Sequence, residues 1–222
     1  MSRTGTSRRR HRLATEQVAT MKHASTRALF DYWNERRGNR PAPERADIDP
    51  AAIRHALGDT FMLAADFVDR LRFRLAGTRV CALFCREIKG EEFHTLWSET
   101  SQKLIEDLLT VVSNETVGAV AGVTGRTADS TDIDLEFLLL PLAHTGHARI
   151  RALGVLVPVV PPYWLGEKPL VTLELGTLRH IGSELEGFSA PRIAPANEDV
   201  RLRHGFVVYS GGREIPSGER TG

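Results

Sequence analysis

The sequence predicts an α+β protein: an antiparallel sheet of about five strands with helices packed on one face, preceded by an N-terminal helix. Three observations carry this. In "RLRFRLAG", Leu71, Phe73 and Leu75 alternate with Arg70, Arg72 and Arg74, the period of a strand with one wet face. In "SETSQKLIEDLLTVVSNE" apolar residues return at helical spacing. Three further strand candidates then follow in succession, which places the helices between the second and third strands.

The elements run in order as follows. Residues 24–37, "ASTRALFDYWNERR", set Ala28, Leu29, Tyr32 and Trp33 in one broad apolar stripe, and Gly38 stops the helix. So short a helix is marginal alone, so Tyr32 and Trp33 must pack on the domain or on a second copy of it. "GNRPAPERADI" is a charged, proline-broken connector. "DIDPAAIRHALG" reads as a short helix with Asp49 as N-cap, Pro50 at the first position and Gly58 at the close. "FMLAADF" is the hairpin partner of "RLRFRLAG", with Val68 and Asp69 in the turn. The longest helix spans residues 98–115, capped by Ser98, with Leu104, Ile105, Leu108, Leu109 and Val112 on one side.

"VGAVAGVTGRT", "DIDLEFLLLPLA" and "HARIRALGVLVPVV" are the remaining strands, the last two joined by the turn "HTGH". In the second, Asp132, Asp134 and Glu136 alternate with Ile133, Leu135 and Phe137, and then Leu138 to Leu140 run on as if buried on both sides. "LVTLELGTLRHI" is a final short element of undecided type. Beyond Gly182 the chain is polar apart from "GFVVYSGG" and reads as a loosely attached tail. The expected division is 1–20 as a basic extension, 21–58 as an N-terminal helical segment, 59–182 as the main domain and 183–222 as the tail.

Composition excludes several classes. No apolar run approaches the ~18 residues a membrane span needs, and "SRRRHR" has no apolar segment behind it to make a secretory signal. Two cysteines are too few for a disulfide scaffold, so a reducing cytoplasm is expected. The net charge of +1 becomes −4 without Arg3, Arg8, Arg9, Arg10 and Arg12, so the domain itself carries no basic footprint for nucleic acid.

The chain also resembles a known family. "LFDYWNERRGNRPAPERADIDPAAIRHAL", "FRLAGTRVCALFCREIKGEEFHTLW", "LLLPL" and "RALGVLVPVVPPYWLG" are similar, in this order, to blocks of a family of small bacterial PAS proteins. That family has a "YW…RG…P.R.DIDP…I" opening and an "FRLAGT…LFGREL.G..F..LW" centre, and the likeness runs from about Met21 to Ile181. Its usual opening, "MKH.STR.LF.YW", falls at Met21, which makes residues 1–20 an upstream extension or a misplaced start. The resemblance implies a single-domain sensory or regulatory protein without a kinase or cyclase module. One departure stands out: Cys85 occupies the place of Gly in "LFGREL". Cys tolerates a positive φ less readily than Gly, so a helical turn is expected there instead.

The resemblance implies a pocket under the inserted helices, walled by Phe73, Leu75, Leu83, Phe84, Phe93, Trp97, Phe137, Leu139 and Leu153. A small apolar ligand there would gate contacts with other proteins. No cofactor is expected: a flavin-type "N-C-R-F-L-Q" helix is absent, and for haem only His94, just before "LW", is placed as an axial ligand. Cys81, Cys85 and His94 supply three zinc ligands at most where a structural site wants four. A second class of reading makes Cys85 and His94 a nucleophile and base, but no protease or nucleophile-elbow signature surrounds them. No Walker loop or G-x-G-x-x-G fingerprint is present. Leu29, Tyr32 and Trp33, an aromatic patch that seldom stays wet, are the expected homodimer interface, beside an unidentified protein partner.

Overall fold

The computed structural model describes residues 21–65, 70–143, 151–181, 201–203 and 206–208. Helix α1 (Ala24–Arg37) is followed by 3₁₀ turns at Arg45–Asp47, Pro50–Ile53 and Leu57–Asp59 and by strands β1 (Thr60–Ala65) and β2 (Leu71–Ala76). Helix α2 (Thr78–Leu83), a 3₁₀ turn at Phe93–Leu96 and helix α3 (Glu99–Glu115) lead into β3 (Gly118–Thr127), β4 (Asp132–Pro141), β5 (Arg151–Pro158) and β6 (Leu170–Ile181). These six strands form one sheet in the order β2-β1-β5-β4-β3-β6, antiparallel throughout. The fold is the α+β arrangement expected, with one strand more.

That additional strand is "LVTLELGTLRHI". Its alternation is broken because its pairing with β3 slips between Ala121 and Val123, so Leu173 and Leu175 share a parity that Leu178 does not. A bulge of this kind shifts every later side chain by one face, which is why the period-two signal fades. The hairpin turns expected at Val68–Asp69 and at "HTGH", and the segment 1–20, lie outside the described residues. In the C-terminal unit, Pro191–Gly222, β7 (Arg201–Arg203) and β8 (Phe206–Val208) pair as an antiparallel hairpin within the stretch read as a tail.

Both faces of the sheet are covered. Leu138, Leu139 and Leu140 are all buried, as their unbroken apolar run predicts. On the inner face Phe61, Leu63, Phe73, Phe137 and Leu139 pack beneath α2, the Phe93–Leu96 turn and α3. On the outer face Leu138, Leu140, Leu153, Val155 and Val157 pack against Leu29, Phe30 and Trp33 of α1.

Helix α1 begins where the His23 imidazole accepts a hydrogen bond from the Ser25 amide at 3.1 Å, and ends at Gly38, whose φ of 55° only glycine adopts freely. Its start is anchored by a buried carboxylate: Glu136 of β4 accepts the backbone N–H groups of Lys22 at 2.6 Å and His23 at 2.9 Å. The segment 49–58, expected as one helix, is instead two separate 3₁₀ turns. The Asp49 cap is real, accepting from the Ala51 amide at 2.9 Å, but Gly58 sits inside the second turn. Short 3₁₀ turns let the chain change direction twice before it enters β1 at Thr60, which a continuous helix cannot do.

The connection from β2 to β3 straps the interior from edge to edge. At one end Phe73 of β2 donates to the Glu91 carbonyl at 3.1 Å and accepts from the Gly90 amide at 2.8 Å. At the other, the Ser98 amide donates to the Leu173 carbonyl at 2.8 Å and the Leu175 amide donates to the Ser101 hydroxyl at 2.9 Å. Both outer strands are thereby held by one segment. Helix α3 follows from Ser98, whose hydroxyl accepts from the Ser101 amide. It buries Ile105, Leu108 and Val112 but leaves Leu104, expected on the same side, exposed.

Candidate functional site

The inner face is a cluster of aromatic rings. Phe93, from the 3₁₀ turn, stands at its centre, with ring centroids 6.0 Å from Phe61, 5.6 Å from Phe73, 5.7 Å from Trp97 and 6.1 Å from Phe137. Two of these contacts are edge-on (Phe73, Trp97) and two stacked (Phe61, Phe137), the geometries that ring quadrupoles favour. Gly154 of β5 makes room for this packing: a Cβ there would lie 2.2 Å from the Phe61 ring.

Seven of the nine expected wall residues meet in this one cluster: Phe73, Leu83, Phe84, Phe93, Trp97, Phe137 and Leu139. Leu75 and Leu153 do not. The β1–β2 pairing shifts between Met62 and Leu63, so Phe73 pairs with Leu63 while Leu75 pairs with Met62 on the opposite face. The extra residue in β2 turns the alternation over between Phe73 and Leu75. Leu153 also pairs with Met62 and belongs to the outer cluster. Strand β5 is apolar on both sides from Ala152 onward, and its one cue is Arg151, which shares the face of Leu153 and marks that face as the outer one. Phe61, missed at the sequence level, has a usable signal: with Leu63 it alternates along "FMLAADF" in phase with Phe73.

One residue of this cluster carries a buried polar atom without a partner among the described residues. The Trp97 side chain is buried, and its indole Nε1–H makes no hydrogen bond among the described residues. An unsatisfied buried donor costs about 1–3 kcal/mol and calls for an explanation.

The polar candidates lie elsewhere. His94 does not enter the interior: its side chain is 40 % exposed and its Nε2 lies 3.6 Å from the Glu92 carboxylate. The haem-ligand expectation therefore has no geometry behind it. Cys85 is exposed, its sulfur 3.7 Å from the Ala82 carbonyl, and no hydrogen bond joins it to His94. Cys81 is half-buried; burial pushes its thiol pKa up, the wrong direction for a nucleophile. Among the described residues no group of three or more His, Cys, Asp and Glu is placed to hold a metal ion. The helical turn expected at Cys85 is not formed: its φ is 51°, so the chain keeps the left-handed conformation without the glycine.

Leu29, Tyr32 and Trp33 are buried by the chain's own sheet, Trp33 completely. The Trp33 indole donates to the Pro141 carbonyl at 2.7 Å, and the Tyr32 hydroxyl accepts from the Asp49 amide at 2.7 Å. Of the two coverings the sequence allowed, the domain supplies this one, and the exposure that made the patch an expected dimer interface is not there. Asp59 is the polar link between the two faces. Its buried carboxylate accepts from Ser25 of α1 at 2.5 Å and from Arg79 of α2 at 2.6 and 2.8 Å.

The six-stranded antiparallel sheet is closed over an aromatic interior by the segment that joins β2 to β3. A PAS domain family model matches residues 21–157, and the chain belongs to the PAS domain family, which is typically sensory. No curated protein matches the chain. Among solved structures it is similar to the PAS domain of a protein from Colwellia psychrerythraea, at 14 % identity and a TM-score of 0.36, over 50 % of this chain and 97 % of that one. It is also similar to a light-oxygen-voltage domain studied with a flavin analogue, at 14 % identity and a TM-score of 0.40, over 51 % and 85 % of the two chains. A third is the light state of the blue-light photoreceptor Aureochrome1 LOV, at 16 % identity and a TM-score of 0.37, over 50 % and 89 %. Among the described residues no helix is long and apolar enough to cross a membrane.

Proposed function

We propose that this PAS protein is a non-enzymatic regulator that acts through contacts with other protein surfaces, its own second copy included, and that a small apolar ligand in the aromatic interior gates those contacts. The observation that carries the reading is the Trp97 indole N–H, buried beside the rings of Phe93 and Phe137 and without a partner among the described residues. A ligand with one acceptor on an apolar body would satisfy it. The strap that holds Trp97 is hydrogen-bonded to both edge strands, so a change in the interior has a direct path to the sheet's rims.

Any self-association in this reading uses a surface other than Leu29, Tyr32 and Trp33, which the sheet occupies. Native mass spectrometry of freshly purified protein, with an absorption spectrum, tests the proposal, since it reads bound mass and association state together. Expected is a bound small molecule and a change of association state or partner affinity when it is removed. A bare-mass monomer that forms no reconstituted complex with any protein of its host would remove the reading.

A further inference from the structure

A hollow of about 310 Å³ opens on the outer side of the sheet, away from the aromatic interior. Its floor is Met62, Leu75 and Leu153, its roof is Ile48 and Ile53, and the one charged residue in its wall is Arg45. We infer that this hollow binds a small amphipathic anion: a free carboxylate whose alkyl chain fills the cavity and whose head sits on the Arg45 guanidinium.

Three observations converge. The volume suits a chain of roughly ten heavy atoms, at about 30 Å³ for each water-sized group, and lies at the lower end of the range for small-molecule sites. The apolar floor is left wet rather than closed: the bulge between Met62 and Leu63 turns Leu75 to this face, where it stays 43 % exposed. A large aliphatic side chain held open beside Met62 and Leu153 is surface that a ligand would bury with gain. Lastly, the half-buried Arg45 is not paired with any carboxylate among the described residues. Among the described residues the only hydrogen bond of its side chain is a long one, 3.4 Å, to the Ile48 carbonyl. A guanidinium keeps its planar fork of donors charged at every working pH and matches a carboxylate with two parallel hydrogen bonds. An oily slot with one unneutralised guanidinium at its rim is complementary to a fatty carboxylate and not to a neutral or cationic amphiphile.

The site is separate from the aromatic interior, so its test does not depend on the regulatory reading. Sodium decanoate, kept below its micelle-forming concentration, is titrated calorimetrically into the full chain, alongside decan-1-ol and decyltrimethylammonium. Expected is one decanoate per chain, at least tenfold weaker binding of decan-1-ol, and none of the cation. Arg45→Gln should weaken decanoate at least tenfold, and Leu75→Trp, which fills the slot from an exposed position, should abolish binding. Methyl-labelled Met62 provides a readout that needs no variant: its resonance should shift on titration while those of the other two methionines stay. No heat and an unmoved Met62 methyl would overturn the inference. So would equal affinity for decanoate and decan-1-ol, an Arg45→Gln protein that binds as the parent does, or a light-scattering dimer in which a second copy closes the slot.

Discussion

Arg79 grips Asp59 with two hydrogen bonds, from Nε at 2.6 Å and from Nη2 at 2.8 Å, yet the two side chains live in different media: 52 % of the arginine is exposed and only 3 % of the carboxylate. Removing either partner is therefore not equivalent. Asp59→Ala leaves a guanidinium that turns to water and removes the acceptor of the Ser25 hydroxyl, at a cost of about 1.5–3 kcal/mol for the lost charged hydrogen bonds. Arg79→Ala leaves a buried carboxylate with Ser25 as its remaining side-chain donor, and should cost more, about 2–4 kcal/mol. Urea denaturation of the two variants reads the order directly.

Tyr32 tests whether the N-terminal helix serves the fold or an interface. Its hydroxyl accepts from the Asp49 amide and donates to the Asp47 carbonyl at 3.2 Å, tying α1 to the connector. Tyr32→Phe removes both and should lower stability by about 1–2 kcal/mol. The molar mass by light scattering should not change. A mass that halves with stability intact would restore the helix as an interface.

Cys85 occupies a left-handed backbone position, with φ of 51°. A non-glycine residue there costs about 1–2 kcal/mol, and glycine gives part of that back as unfolded-chain entropy. Cys85→Gly should therefore raise stability by about 0.5–1 kcal/mol, or the melting temperature by about 1–4 °C for a chain of this size. No change in the melting temperature would mean that the turn relaxes.

Acid should weaken the fold through surface carboxylates. Hydrogen bonding from Arg70, with Arg72 and His94 nearby, holds the Glu92 carboxyl below its ordinary range. Lys168, Thr127 and Thr131 hold Asp129 well below its own. A carboxyl whose folded pKa lies below the unfolded one stabilises the fold above the unfolded value, about 4, and loses that contribution as pH falls through the folded value. Stability should thus be flat on this account from pH 7 to 5 and fall below about pH 4. Glu92→Gln and Asp129→Asn should flatten that decline, and added salt should do the same.

The element order and most of the interior were legible in the sequence because they rest on periodicity. Phe73, Phe93, Trp97 and Phe137 fall together where alternation and helical spacing put them. What stayed hidden depends on events periodicity cannot register. One bulge sent Leu75 to the outer face, and in a strand covered on both sides only Arg151, at the strand's start, marks the face that Leu153 takes. Cys85 kept a conformation its residue type disfavours because the surrounding turn, with Cys85 donating to the Ala82 carbonyl and Arg86 to the Cys81 carbonyl, over-determines it. The burial of Tyr32 and Trp33 was a choice between two coverings that only tertiary structure makes.

The strap across the interior has a consequence for behaviour in crowded solution. A sheet of six strands ends in two rows of amide and carbonyl groups that invite foreign chains to join on. Here Gly90 and Glu91 occupy one row at Phe73, and Ser98 and Ser101 occupy the other at Leu173 and Leu175. The same segment that roofs the rings thus blunts templated aggregation at both rims, and any event that loosens the roof would expose two sticky borders at once.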